Sequence, residues 1–88
     1  MKIYKGETGL NKSWQGEFPK ETLCVACGMN ARIMFVGLEG EESVPAKDFI
    51  CNIHENGKDG KYWLHDACAV AVYLCEQCFE TTAIVNQA

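Results

Sequence analysis

Every cysteine and every histidine of this chain stands in a pair with two residues between its members: Cys24 and Cys27, Cys51 and His54, His65 and Cys68, Cys75 and Cys78. The six cysteines and two histidines leave no remainder. Zinc takes four nitrogen or sulfur ligands in a tetrahedron, and a two-residue gap lets the backbone turn so that both side chains of a pair reach one ion. Four pairs supply the complement of two closed sites. We therefore expect these eight residues to be metal ligands holding two structural zinc ions.

Size makes such a staple necessary. A chain of 88 residues has room for one domain, and a domain that short buries a modest fraction of the surface its unfolded form exposes. Ordering it costs roughly 1–2 kcal/mol per residue, so small domains add disulfides, a metal or a partner subunit. The opening Met1-Lys2-Ile3-Tyr4-Lys5-Gly6-Glu7 has no apolar signal-like core, and no later stretch approaches the roughly 18 apolar residues of a membrane span. The expectation is a reducing, cytoplasmic setting without a membrane partner, where spaced thiols read as metal ligands before they read as disulfides. Asn11-Lys12-Ser13 fits a glycosylation sequon, which is taken as chance without a secretory signal.

Charge narrows the partners. Twelve acidic residues against eight basic ones give a net charge of −4, and Arg32 is the single arginine. Phosphate contacts come mainly from clustered Lys and Arg, whereas Lys2, Lys5, Lys12 and Lys20 form only a weak basic arm. The acidic stretch Glu39-Gly40-Glu41-Glu42 would repel a phosphate backbone further. A protein partner is expected ahead of nucleic acid.

Along the chain, residues 1–22 hold no ligand but carry Tyr4, Trp14 and Phe18, and are expected to pack as an arm on a zinc-binding domain spanning 23–80, with 81–88 as a tail. Ala31-Arg32-Ile33-Met34-Phe35-Val36 reads as a strand, followed by an acidic loop from Gly37 to Pro45. Asp48–Ile53 and Lys61–Leu64 read as two further strands joined by a hairpin whose tip carries Asn56-Gly57 and Asp59-Gly60. The segment from Asp66 to Cys78 is ambiguous. Asp66 is a plausible N-cap and the run Ala67–Leu74 suits a helix, yet its Val and Tyr content also suits a buried strand. Helix is the favoured reading. The fold expected is thus a small α+β domain of short β-hairpins and zinc knuckles with a short C-terminal helix, treble-clef or zinc-ribbon-like.

Two ways of sharing the ions follow. In a cross-brace, the favoured one, Cys24 and Cys27 join His65 and Cys68, while Cys51 and His54 join Cys75 and Cys78. In the rival nesting, Cys24 and Cys27 join Cys75 and Cys78 as a zinc ribbon that encloses Cys51, His54, His65 and Cys68. Residues three apart on a regular strand point to opposite faces, so the inner site of that nesting needs a bulge or a knuckle.

Residues 24–78 resemble the broad group of cross-braced zinc modules that includes PHD, RING and FYVE fingers. Trp63-Leu64-His65-Asp66-Ala67-Cys68 is similar to the aromatic-x-His-x-x-Cys step of PHD fingers, and Cys75/Cys78 closes the module as the last CxxC does in that group. The spacing departs from it, with ten residues between His54 and His65 and six between Cys68 and Cys75. The resemblance implies an architectural class, and no histone-tail or ubiquitin-ligase activity is carried over.

Closed four-ligand sites leave no position for water or substrate, so the expectation is a non-enzyme, an interaction or adaptor module. A zinc deaminase needs His-x-Glu, but Asn56 and Ala67 stand at the Glu position after His54 and His65. A thioredoxin-like oxidoreductase would use one CxxC and leave the other ligands unexplained. A nucleic-acid-binding ribbon and an HNH-type nuclease, with His65-Asp66 between the outer pairs, are the alternatives, and an iron site on the outer pairs is chemically possible.

Overall fold

The computed structural model describes residues 1–40, 44–53, 64 and 67–87. They form one antiparallel sheet. Its strands are β1 (Lys2–Lys5), β2 (Glu21–Leu23), β3 (Asn30–Leu38), β4 (Cys51–Asn52), β5 (Cys68–Cys75) and β6 (Thr81–Gln87), in the order β4-β1-β3-β5-β6. β2 lies off this line. It pairs with β3 at Asn30–Arg32, and β1 takes the same edge of β3 further along, at Phe35–Leu38.

β3 and β5 form the centre because both alternate apolar residues on one face. Ala69, Ala71, Tyr73 and Cys75 are each 0% exposed, while Val70, Val72 and Leu74 between them are half-buried. That two-residue period is the signature of a strand. Across from them stand Leu38, Val36, Ile33 and Ala31. The parity of these four changes at Met34, because Ile33 faces Tyr73 but Phe35 faces Val72, which leaves Met34 as the extra residue of a β-bulge.

The same face receives Tyr4 of β1 and Phe18 from the segment before β2, completing the core. The Tyr73 hydroxyl donates to the Pro19 carbonyl at 2.7 Å, and the Ile33 N–H to the Lys20 carbonyl at 3.1 Å, fastening that segment to the sheet. After β1 the chain turns through a short 3-10 helix, Gly6–Gly9. A Cβ at Gly9 would stand 2.8 Å from the Val36 Cβ and 2.9 Å from the Tyr4 Cβ, so only glycine lets this turn lie on the core. Trp14 remains exposed at the surface.

The α+β expectation is overturned: no α-helix occurs among the described residues, and the 3-10 turns Gly6–Gly9 and Ala46–Asp48 are the helical elements there. Within the span 66–78, expected as a C-terminal helix, Cys68–Cys75 form strand β5. The β-branched and aromatic residues Val70, Val72 and Tyr73 favour the pleat. Neighbours on both sides, β3 and β6, then satisfy its backbone, which outweighs the helix propensity of three alanines. The strand expected over Asp48–Ile53 is reduced to Cys51–Asn52, and it pairs with Lys2–Ile3. The hairpin tip and residues 61–63 of the third expected strand lie outside the described residues. No helix of the described residues is long and apolar enough to cross a membrane.

Candidate metal centre

Two tight turns approach each other at one end of the sheet. The first links β2 to β3. There the Cys24 N–H donates to the Met29 carbonyl at 2.7 Å and the Gly28 N–H to the Cys24 carbonyl at 2.9 Å. The second links β5 to β6 with the same pattern: the Cys75 N–H donates to Glu80 at 3.0 Å and the Phe79 N–H to Cys75 at 3.0 Å. In each, the residue after the second cysteine takes positive φ, +74° at Gly28 and +61° at Phe79. The turns are two copies of one knuckle.

Each knuckle presents two thiols to the other. Cys24 Sγ lies 3.6 Å from Cys78 Sγ, and Cys27 Sγ lies 3.5 Å from Cys75 Sγ. All four sulfurs fall within 4.8 Å of one another. A regular tetrahedron with zinc–sulfur bonds of about 2.3 Å sets its sulfurs about 3.8 Å apart, so this spacing suits a tetrathiolate centre. Thr82 Oγ1 accepts the Val25 N–H at 3.1 Å and clips the first knuckle to β6. Glu76 holds Arg32 at 2.8 Å, a pair between exposed side chains that adds little stability.

The electrostatics of the four thiols point the same way. N–H groups of Cys27 and Ala26 aimed at Cys24 lower its pKa from 9.0 to about 7. Those of Cys78 and Gln77 lower Cys75 likewise. At Cys78 the Glu80 N–H favours the thiolate, but partial loss of water and the thiols of Cys27, Cys24 and Cys75 prevail, and it is pushed up to about 12. Cys27 is also raised: its strongest influence, the Met29 N–H, lowers it, but the Cys75 thiol and desolvation prevail. Four thiols this close cannot all ionise alone, and a dication among them removes the conflict.

No protein-family model matches the chain, and neither does any curated protein or solved structure. What the centre is must follow from its own geometry.

That geometry corrects the expected sharing of ligands. The favoured cross-brace put Cys24/Cys27 and Cys75/Cys78 on different ions, whereas the structure joins these two pairs in one centre, the arrangement of the rival nesting. With β5 in place of a helix, the treble-clef geometry is lost as well. Of the other four expected ligands, His54 and His65 lie outside the described residues. Cys51 is exposed on β4 and Cys68 buried on β5. Their strands are separated by β1 and β3, which at strand spacing of 4.7–4.9 Å puts them about 14 Å apart. Among the described residues a single cluster has metal-binding geometry.

The pairing did leave a trace in the sequence. The outer pairs are the two pure CxxC pairs, each followed by a residue in the left-handed region, glycine in one case. A CxxC pair beside a strand end suits a knuckle of that kind, and the pairing of β3 with β5, Ala31 opposite Cys75, sets the two knuckles at the same end of the sheet. Within the acidic stretch, Glu39 is 0% exposed and its two carboxylate oxygens accept the Leu64 N–H at 3.2 and 3.0 Å, so this carboxylate faces the interior, while Glu41 and Glu42 lie outside the described residues.

Proposed function

We propose that Cys24, Cys27, Cys75 and Cys78 hold one structural zinc ion, and that the protein is a zinc-stapled, non-enzymatic interaction module for a protein partner. The observation that carries this reading is the closure of the centre: four sulfurs within 4.8 Å use every position of a tetrahedral ion. Zinc in such a site staples two knuckles and offers no site to water or substrate. The residues fit the ion through soft thiolate donors, N–H groups directed at sulfur, and a spacing close to tetrahedral.

The protein-binding part is supported by the surface around the centre. Leu23, Val25, Met29 and Phe79 flank the four ligands and are 70%, 76%, 53% and 73% exposed. Apolar side chains gathered at one end of a small domain suit a protein partner better than a phosphate backbone, as does the net charge of −4. The thiolates need a reducing compartment to stay ligands, consistent with a cytoplasmic setting.

Native mass spectrometry of protein expressed with added zinc tests the reading. The expected result is that Cys24→Ser and Cys75→Ser each release the same single ion. If the two variants lose different ions, or if the purified chain carries disulfides between these cysteines in place of a metal, the proposal fails. Absorption in the visible range would instead identify a tetrathiolate iron centre.

A further inference from the structure

The outer edge of β6 carries information that the metal centre does not use. Cys75 donates its N–H to the Glu80 carbonyl, and the register then runs Tyr73 opposite Thr82, Ala71 opposite Ile84 and Ala69 opposite Asn86. In an antiparallel ladder, residues that exchange hydrogen bonds alternate with residues that do not. The even-numbered residues of β6 therefore bond to β5, and Thr81, Ala83, Val85 and Gln87 direct their main-chain N–H and C=O groups away from the sheet. The Gln87 carbonyl accepts Gln15 Nε2 at 3.1 Å from that outer side. Among the described residues, no backbone group reaches the outward groups of Thr81, Ala83 or Val85.

Proteins usually blunt such an edge with lysine, proline, a bulge or a covering loop. Thr81-Thr82-Ala83-Ile84-Val85-Asn86-Gln87 contains no charge and no proline, and its ladder to β5 runs without a bulge. Among the described residues, the hydrogen bonds of segment 13–15 to β6 lie at its far end, where Ser13 and the Trp14 N–H bond the Asn86 side chain.

We propose that this edge pairs with the same edge of a second copy of the chain, β6 antiparallel to β6, about a two-fold axis at Ala83. Several features of the strand select a second copy as the occupant. The outward residues 81, 83 and 85 are symmetric about Ala83, so this register lets Ala83 bond its own counterpart, and Thr81 the Val85 of the other copy, in reciprocal pairs. The smallest side chain of the strand lies on the axis, where identical residues must face each other. Thr81 then stands beside Val85 on one face and Thr82 beside Ile84 on the other, all β-branched pairs that suit cross-strand packing. Absence of charge along β6 removes the repulsion that a second copy of an acidic chain would otherwise bring. The same register carries Phe79, 73% exposed, to the Gln87 end of its counterpart, where Trp14 is 38% exposed; with Val85 at 55%, three exposed apolar side chains gain a common reason. The proposal is independent of which metal fills the centre.

Sedimentation equilibrium of the full, metal-loaded chain under reducing conditions, from micromolar to millimolar concentration, tests it. The expected result is a monomer–dimer equilibrium in which the amides of Thr81, Ala83 and Val85 become protected from exchange as concentration rises. Ala83→Pro removes an outward N–H without touching the β5 ladder, and Ala83→Lys sets like charges face to face on the axis while keeping every backbone group. Each is expected to weaken the dimer at least about tenfold with metal content and NMR dispersion retained. If Ala83→Pro fails to fold, Ala83→Lys decides. A wild-type chain that stays monomeric at millimolar concentration overturns the proposal, including one whose β6 amides respond only to an added extended peptide. A dimer that survives Ala83→Lys overturns it equally.

Discussion

The two knuckles differ most at one residue. Gly28 and Phe79 occupy equivalent places after the second cysteine, both with positive φ, but a side chain in that region costs roughly 1–2 kcal/mol where glycine pays nothing. A Cβ at Gly28 would meet no atom within 4 Å, so at this position conformation alone decides. Phe79→Gly is accordingly expected to stabilise the metal-loaded monomer by up to about 1 kcal/mol, the gain in backbone comfort being partly offset by a freer unfolded chain. Gly28→Ala is expected to destabilise it by a similar amount. Denaturant titration of both variants below the concentration of any self-association checks the pair; equal and opposite shifts confirm that the knuckles are equivalent, and a loss of stability in Phe79→Gly contradicts it. That phenylalanine persists in an uncomfortable, exposed place fits a contact role for its ring.

At the level of the elements, the short 3-10 turn after β1 lies so close to β3 that the Val36 and Tyr4 β-carbons leave no space for another. Gly9→Ala is expected to cost about 1–3 kcal/mol, because both neighbours are stiff parts of the core and neither can swing aside. Thermal melts of the metal-loaded variant measure it, and an unchanged melting temperature would show that the turn can lift off the sheet. The elements also show what could be read in advance. The run Ala31–Val36 declared β3 through its apolar, β-branched character, and of the four paired motifs the two CxxC pairs pointed to the four-cysteine cluster. The identity of β5 was obscured because three alanines and a capping aspartate imitate a helix start, while the alternation that marks a strand is visible only once Ala69, Ala71, Tyr73 and Cys75 are seen to share a face. β1 was missed for a different reason: Lys2-Ile3-Tyr4-Lys5 is too short to signal a strand until β3 is there to receive it. The choice between ligand pairings failed with β5, since the cross-brace depended on the helix.

For the molecule as a whole, the four-cysteine cluster brings the β2–β3 turn against the β5–β6 turn at one end of the sheet, where a bound ion would tie them together. Structural zinc in small fingers contributes on the order of 10–16 kcal/mol, comparable with or greater than the roughly 5–15 kcal/mol total stability of ordinary domains. Chelation under reducing conditions is therefore expected to abolish the fold, read by circular dichroism and NMR dispersion. Acidity should act in the same direction. With Cys78 pushed up to about 12 and Cys27 also raised, both carry protons at neutral pH that the metal must displace, so affinity rises with pH and falls as pH drops. Less chelator should be needed to unfold the protein at pH 6 than at pH 8, and a midpoint that does not move with pH would rule out proton competition at these thiols. A chain that keeps its dispersion without metal would show that the sheet needs no staple.

The bulge at Met34 has a consequence for the length of the chain. Because Ile33 already faces Tyr73 and Phe35 already faces Val72, a strand lacking Met34 would run past β5 in unbroken alternation, with the side chains near the cysteines and those near β1 both still pointing inward. The middle strand thus carries one residue of slack. A deletion there is absorbed, whereas the same deletion in β5, which has no such reserve, would turn one end of the sheet inside out.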